Sequence, residues 1–260
     1  MASSNAQQPS LSTRDLTIRF GGHVAVNAVT ADFYPGTLTV IVGPNGAGKT
    51  TYFNLVSGQL PATSGSVLLK GVDVTRAGAA KRTRLGIGRA FQLTNLFPNL
   101  TVMENVRLAV QSRAGLGMNM FSVWSSHKQL LERAGHYLER VAMAGKRDAH
   151  VGSLSHGDQR KLEVAILLAL APAVMMFDEP TAGMSVDEVP VVLDLIHAVK
   201  RDANKTVLLV EHKMDVVRQL ADRIIVLHNG TLVADGEPAE VMQSKIVQEA
   251  YLGTPEPEHA

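Results

Sequence analysis

The run Gly43-Pro44-Asn45-Gly46-Ala47-Gly48-Lys49-Thr50 matches the pattern G-x-x-x-x-G-K-[ST] at each fixed position. Such a run suits phosphate. Its glycines let successive backbone N–H groups curl around phosphate oxygens, and the start of a following helix adds a field that favours an anion. Lys49 would reach the β- and γ-phosphates of a nucleotide, and the Thr50 hydroxyl would ligate Mg²⁺. The flanks agree: a strand-like run, TLTVIV (37–42), precedes the loop and a helix-like run, KTTYFNLVSG (49–58), follows it. A glycine-rich turn arising by chance would need neither. The expected nucleotide-binding set therefore spans Gly43, Pro44, Asn45, Gly46, Ala47, Gly48, Lys49, Thr50 and the adjoining Thr51.

A second group of chemical residues follows the apolar run AVMMF (173–177), which ends in Asp178-Glu179. In open α/β sheets, ligands bind at the carboxyl ends of the strands. Asp178 there would hold Mg²⁺, directly or through water, and Glu179 would orient and deprotonate an attacking water. An acidic turn closing a strand before Pro180 is the simpler explanation, and the phosphate loop upstream favours the chemical one.

Leu154-Ser155-His156-Gly157-Asp158 opens a third segment, the apolar helix pattern QRKLEVAILLALA (159–171). Ser155 with Asp158 three residues on reads as a capping box, and a helix start of that kind is also a good anion site. His212 follows the buried run TVLLV (206–210). Its place at the ligand-binding edge argues against a purely structural histidine.

The elements that must carry these groups alternate along the chain. TLTVIV, AVMMF, TVLLV and RIIVL (223–227) show little polar alternation, the mark of strands covered on both faces in a mostly parallel sheet. LTIRF (16–20) and HVAVNAVTADF (23–33) alternate more and predict antiparallel strands in an accessory sheet. From about residue 92 to 157 strand-like runs vanish, and 125–143 carries apolar residues at helical spacing. The expected architecture is an α/β core over residues 11–253 with a helical subdomain inserted at about 92–157. Residues 1–10 and 254–260 read as disordered tails.

Composition narrows the function. The 260 residues carry 25 Lys and Arg against 24 Asp and Glu, a formal charge of +1, which speaks against a general nucleic-acid binder. The basic run 81–89 is accordingly expected to be a solvated face near a membrane, and Met103, Met118, Met120 and Met143 to be packing. There is no cysteine, hence no disulfide framework or thiolate metal site. The longest apolar stretch, 164–177, is broken by Pro172 and falls short of the roughly 20 residues a bilayer requires. The N-terminus lacks the apolar centre of a signal peptide. A cytoplasmic protein is expected, touching a membrane only through partners.

The order of the motifs is more specific than any one of them. Phosphate loop, Gln92 after a short strand, L-S-x-G, an apolar run into Asp-Glu, then a strand leading to His212: this resembles the ABC ATPase family across nearly the whole chain. The resemblance implies the P-loop NTPase fold of that family, with ATP and Mg²⁺ as ligands. It implies that Phe20 stacks on adenine, that Gln92 touches Mg²⁺ and links the site to the helical subdomain, and that His212 contacts the γ-phosphate. It also implies that Ser155 and Gly157 bind the γ-phosphate of ATP held by a second subunit. Two departures stand out: LSHGD in place of LSGGQ, and Ser185 where the family usually has aspartate, with Asp187 two residues later.

Within the family the chain is similar to the branched-chain amino-acid importer type. The segments GGHVAV, GPNGAGKTTYFN, GIGRAFQLTNLFPNLTVMENV, LSHGDQRKLEV, DEPTAGM, VEHKMDVV and VQEAYLG carry that likeness. It implies an ATPase subunit at the cytoplasmic face of the plasma membrane. Its expected partners are a second ATPase subunit, identical or a paralogue, two membrane permease subunits and, indirectly, a periplasmic binding protein. The alternatives are an importer of urea, amides or aromatic acids and a lipopolysaccharide-type exporter. Soluble repair or translation ATPases and P-loop kinases fit less well, lacking respectively their long insertions or second cassette and any need for L-S-x-G.

Overall fold

Strands buried on both faces organise the chain in the computed structural model, which describes residues 7–90, 96–116, 128–184, 187 and 189–244. In chain order the strands are β1 (Leu11–Phe20), β2 (His23–Phe33), β3 (Leu38–Val42), β4 (Ser64–Leu69), β5 (Val72–Asp73) and β6 (Ile87–Ala90). β7 (Val174–Asp178), β8 (Thr206–Val210), β9 (Arg223–His228) and β10 (Thr231–Gly236) follow. The larger sheet has the order β10-β9-β3-β8-β7-β6. All its neighbouring pairs are parallel except β10 with β9.

Every residue of β3, β7 and β8 is buried. Alternate side chains serve two cores: Val40, Val42, Phe177 and Leu209 join the helices on one face, and Ile41, Met176 and Val210 join the other. That double burial explains why these strands show little polar alternation. The second face is closed by α1 (Lys49–Ser57), through Tyr52 and Phe53, and by a four-stranded antiparallel sheet of order β2-β1-β4-β5. The fold expected from the sequence is the one observed.

Among the described residues the further helices are α2 (Ala79–Leu85), α3 (Val102–Arg113), α4 (Lys128–Arg140), α5 (His156–Leu170), α6 (Val189–Lys200), α7 (Met214–Leu220) and α8 (Pro238–Gln243). α3, α4 and α5 pack on one another. α4 turns Leu130, Ala134 and Leu138 inward, a stripe at intervals of four residues. It falls inside the segment 125–143 expected to be helical, of which 125–127 lie outside the described residues. Met103 and Met143 are buried packing, while Met118 and Met120 also lie outside the described residues. Among the described residues, no helix is long and apolar enough to cross a membrane.

Two expectations need correction. The basic run 81–89 is not a solvated face throughout, because Arg82 and the Arg89 side chain are buried. Arg82 donates to the carbonyl oxygens of Leu55 at 2.6 Å and Val56 at 2.7 Å, satisfying the carboxyl end of α1 that the helix itself leaves open. The tail expected over residues 1–10 stops short of Ser10, which is buried and whose N–H donates to Phe33 O at 2.8 Å. Residues 1–6 and 245–260 lie outside the described residues.

Candidate functional site

Four neighbouring strands of the parallel sheet deliver the chemical residues to one edge. β3 ends at Val42, where the glycine-rich loop starts, and β7 ends on Asp178. β8 ends two residues before His212, and β6 ends two residues before Gln92, which lies outside the described residues. Parallel neighbours place their carboxyl ends together, so the described ones among these residues meet in space despite their separation in sequence.

The loop is held by close backbone approaches. A Cβ on Gly43 would meet Leu227 O at 2.1 Å, and one on Gly48, whose φ is 94°, would meet Ala25 O at 2.5 Å. Only glycine fits at either position. Gly48 is also the N-cap of α1, and α1 has neither a side-chain cap nor an acid in its first turn. α3 and α5 are capped by Thr101 and Ser155. The uncapped start of α1 leaves its leading N–H groups and the positive end of its dipole for an anion.

Lys49 is 8% exposed, and its Nζ donates to Gly43 O at 2.7 Å and Pro44 O at 3.0 Å. Burial lowers its pKa, against the opposing pull of Glu179 and Asp178. Around the loop lies a cavity of about 420 Å³. Asn45, Gly46, Ala47, Gly48, Lys49, Thr50 and Thr51 form one wall, Phe20 and His23 another, and Glu179 a third. Phe20 is half exposed there, an aromatic face open to a flat ligand.

The two carboxylates part company at a strained turn. Asp178 is buried, and its Oδ2 accepts from Arg89 Nη2 at 2.5 Å. Its Oδ1 is buried with no hydrogen-bond partner among the described residues. Burial raises its pKa, and Arg89 opposes the shift. Glu179 has φ 48°, a left-handed conformation that costs a non-glycine residue on the order of 1 kcal/mol or more. Hydrogen bonds from Glu179 N to Val210 O at 2.9 Å and from Ala182 N to Glu179 O at 3.0 Å hold it. The turn sends Glu179 into the cavity while Asp178 stays in the sheet. Glu179 Oε1 lies 3.8 Å from His212 Nδ1.

The residues present fit a hard divalent cation. A buried carboxylate oxygen without a partner and a threonine hydroxyl at the loop are oxygen donors of the kind Mg²⁺ takes, with the remaining positions left to water and phosphate.

One buried pair escaped sequence reasoning. Glu211 is fully buried, and its Oε1 accepts from the Thr181 hydroxyl at 2.7 Å. Thr181 lies two residues after Glu179, and Glu211 immediately precedes His212, so this bond ties the two loops together. An acid directly after the buried run of β8 was the available signal.

Ser155 behaves as expected at the start of α5, accepting from Asp158 N at 3.2 Å. The capping box is only half made. The Asp158 carboxylate accepts from Lys146 and, at 3.5 Å, from Lys161, and makes no capping-box bond with the Ser155 backbone N–H. The complete capping box belongs to Thr101 and Glu104. Ser155 is exposed and Gly157 buried, and neither lines the cavity around the glycine-rich loop. One chain thus gathers Phe20, the loop and Glu179, sets Asp178 and His212 beside them, and leaves Ser155 and Gly157 elsewhere.

Comparison with known proteins matches residues 26–182 to the family described as ABC transporter. Over 251 residues the chain is 37% identical to the high-affinity branched-chain amino acid transport ATP-binding protein LivG of Escherichia coli (strain K12), covering 95% of this chain and 98% of that protein. It is 35% identical, with the same coverage, to BraF of Pseudomonas aeruginosa, which bears the same description. Among solved structures, an ATP-binding cassette of an ABC transporter in its ADP conformation superposes with a TM-score of 0.80 at 27% identity, covering 94% of this chain and 99% of that one. A dimeric cassette in a post-hydrolysis state, bound to ADP and phosphate, superposes with a TM-score of 0.74 at 25% identity, covering 87% of this chain and 98% of that one. The matched span opens before the glycine-rich loop and closes just past the Asp178-Glu179 pair, and the relatives align along almost the whole chain; it belongs to the ABC transporter family, as an ATP-binding subunit with ATPase chemistry.

Proposed function

We propose that this chain hydrolyses ATP at Glu179 to energise import of branched-chain or related amino acids through separate membrane permease subunits. The carrying observation is that one cavity joins an uncapped helix start, Lys49 and a carboxylate thrown into it by a strained turn.

Each residue has a role set by its place. The backbone from Gly43 to Thr51 cradles the phosphates, and Phe20 stacks on the adenine. Lys49 exchanges its carbonyl partners for β- and γ-phosphate oxygens. Thr50, Asp178 and Gln92 would hold Mg²⁺, which would supply neutralising charge on those oxygens. Glu179 accepts the proton of the attacking water, and His212, beside it, contacts the γ-phosphate. Ser155 and Gly157, remote from this cavity, serve the nucleotide of a second ATPase subunit, either another copy or a paralogue. Nucleotide then favours the closed pair because only that state makes both sets of contacts.

Closure drives two permease subunits at the cytoplasmic face of the plasma membrane, and a periplasmic binding protein delivers the cargo. The descriptions of the relatives in Escherichia coli and Pseudomonas aeruginosa support branched-chain amino acids as that cargo.

The test has two arms. Purified chain, with its paralogue if one is required, should release phosphate from ATP and Mg²⁺, and Glu179→Gln should lower that rate by about 10²–10⁴-fold. Unchanged turnover in that variant removes Glu179 as the base. In the second arm, cells lacking the chain should lose uptake of labelled Leu, Ile and Val. Normal uptake of all three, with active protein, keeps the ATPase and overturns the cargo.

A further inference from the structure

Arg89 sits in β6 with a side chain 7% exposed, and it is held from more directions than an ion pair requires. Its Nη2 donates to Asp178 Oδ2 at 2.5 Å. Its Nη1 donates to Asn54 Oδ1 at 2.7 Å, Ser57 Oγ at 3.1 Å and Gln59 Oε1 at 3.3 Å. The guanidinium carbon lies 5.4 Å from the centroid of the Phe53 ring. A planar fork fixed by three acceptors and a ring face cannot turn freely, so the oxygen it holds on Asp178 is fixed as well. The other oxygen, Oδ1, is buried without a hydrogen-bond partner among the described residues.

Asn54 and Ser57 belong to α1, the helix that starts with the glycine-rich loop and carries Thr50. Arg89 therefore spans from the helix bearing one expected metal oxygen to the strand end bearing another. It also lies three residues before Gln92, the third expected ligand. A structural ion pair would need only Asp178 and burial. Tying both ligand-bearing elements into one rigid unit is the additional feature.

We propose that Arg89 is a positioning residue for the metal: it locks the Asp178 carboxylate by one oxygen, presents the other to the cation, and fixes β7 against α1. Groups that orient a metal ligand from behind are typically worth 10–100-fold in metal affinity. The inference rests on the reading of Asp178 as the metal carboxylate.

The experiment titrates Mn²⁺, followed by its electron paramagnetic resonance signal, into full-length chain saturated with ADP. A parallel titration measures ADP affinity in EDTA. Arg89→Met should bind Mn²⁺ about 10–100-fold more weakly, with metal-free ADP affinity unchanged. Arg89→Lys keeps the charge without the fork and should fall between wild type and Arg89→Met. Mn²⁺ binding by Arg89→Met as tight as wild type or tighter overturns the proposal, as does an equal loss of metal-free ADP binding. If Arg89→Met fails to fold, Arg89→Lys decides, and wild-type Mn²⁺ affinity there is equally fatal. Asp178→Asn separates the two readings. Weakened Mn²⁺ binding in Asp178→Asn alone leaves Asp178 as ligand and removes only Arg89. Unchanged Mn²⁺ binding in Asp178→Asn removes the metal carboxylate and the proposal with it.

Discussion

His212 Nδ1 and Glu179 Oε1 stand 3.8 Å apart at the carboxyl ends of β8 and β7, with both side chains about half exposed to the cavity edge. A carboxylate and an imidazole so placed can share a water or a phosphate oxygen without being consumed by each other. His212→Ala should therefore lower ATP turnover by about 10²–10³-fold, the usual cost of one donor at developing charge, while leaving ADP affinity near that of wild type. Glu179→Gln should also lose turnover, and with ATP and Mg²⁺ it should gain dimer by light scattering. Turnover within a few-fold of wild type in His212→Ala would limit the residue to packing.

Two helix caps provide an internal control. Thr101 completes a capping box on α3, and Ser155 caps α5 through Asp158 N alone. Alanine at either position should cost about 1 kcal/mol of stability, seen as similar shifts in denaturant midpoint. Only Ser155→Ala should lose nucleotide-dependent dimerisation and turnover beyond that cost. Equal losses of activity in both variants would reduce Ser155 to a cap.

What the sequence disclosed follows from where each signal is stored. β3, β7 and β8 are buried throughout and mostly apolar because both their faces are covered, so a short run of Val, Ile, Leu, Met and Phe announces each of them. β4 buries only Val67 and Leu69, β5 is two exposed residues, and β10 is nowhere fully buried, so none carries a pattern long enough to read. The position of the glycine-rich loop, Asp178, Glu179 and His212 at one edge of the sheet was legible because each ends or closely follows a short buried strand run. Arg89 and Glu211 were not, because their partners lie 89 and 30 residues away in the chain. The basic run 81–89 misled for a related reason: net charge registers Arg82, but not the α1 carbonyls that it caps.

The glycines of the loop should separate folding from binding. Gly48→Ala places a methyl group 2.5 Å from Ala25 O at φ 94°, and a loss on the order of 2 kcal/mol or more is expected. Gly46, at φ 80°, has nothing within 4 Å of the position a Cβ would take. Gly46→Ala should cost only about 1 kcal/mol of stability but weaken ADP binding, since the added methyl enters the cavity that the loop lines. Denaturation and ADP titration on the same samples would show it. Unaltered ADP affinity in folded Gly46→Ala would mean that the phosphates do not approach this part of the loop.

Glu211 should leave a signature in the pH dependence of stability. Burial raises its carboxyl pKa above the ordinary 4.5, with the Thr181 hydroxyl, His212 and Lys213 opposing. Between 4.5 and the raised native value the folded chain binds a proton that the unfolded chain has released, so stability falls as pH rises through that window. Glu211→Gln keeps an oxygen to accept from Thr181 and cannot ionise. Its stability relative to wild type should therefore improve as pH climbs from 4.5 to the raised native value and then level off, in urea denaturation across a pH series. Glu211→Ala removes the acceptor, leaving the Thr181 hydroxyl unsatisfied at a cost of about 1–3 kcal/mol at every pH. Because that hydroxyl ties the loop after Glu179 to the segment bearing His212, Glu211→Ala should also lose turnover, and Glu211→Gln should restore it. Parallel pH profiles for wild type and Glu211→Gln would mean that the carboxyl ionises normally in the fold, and loss of activity in Glu211→Gln would mean that its charge is needed.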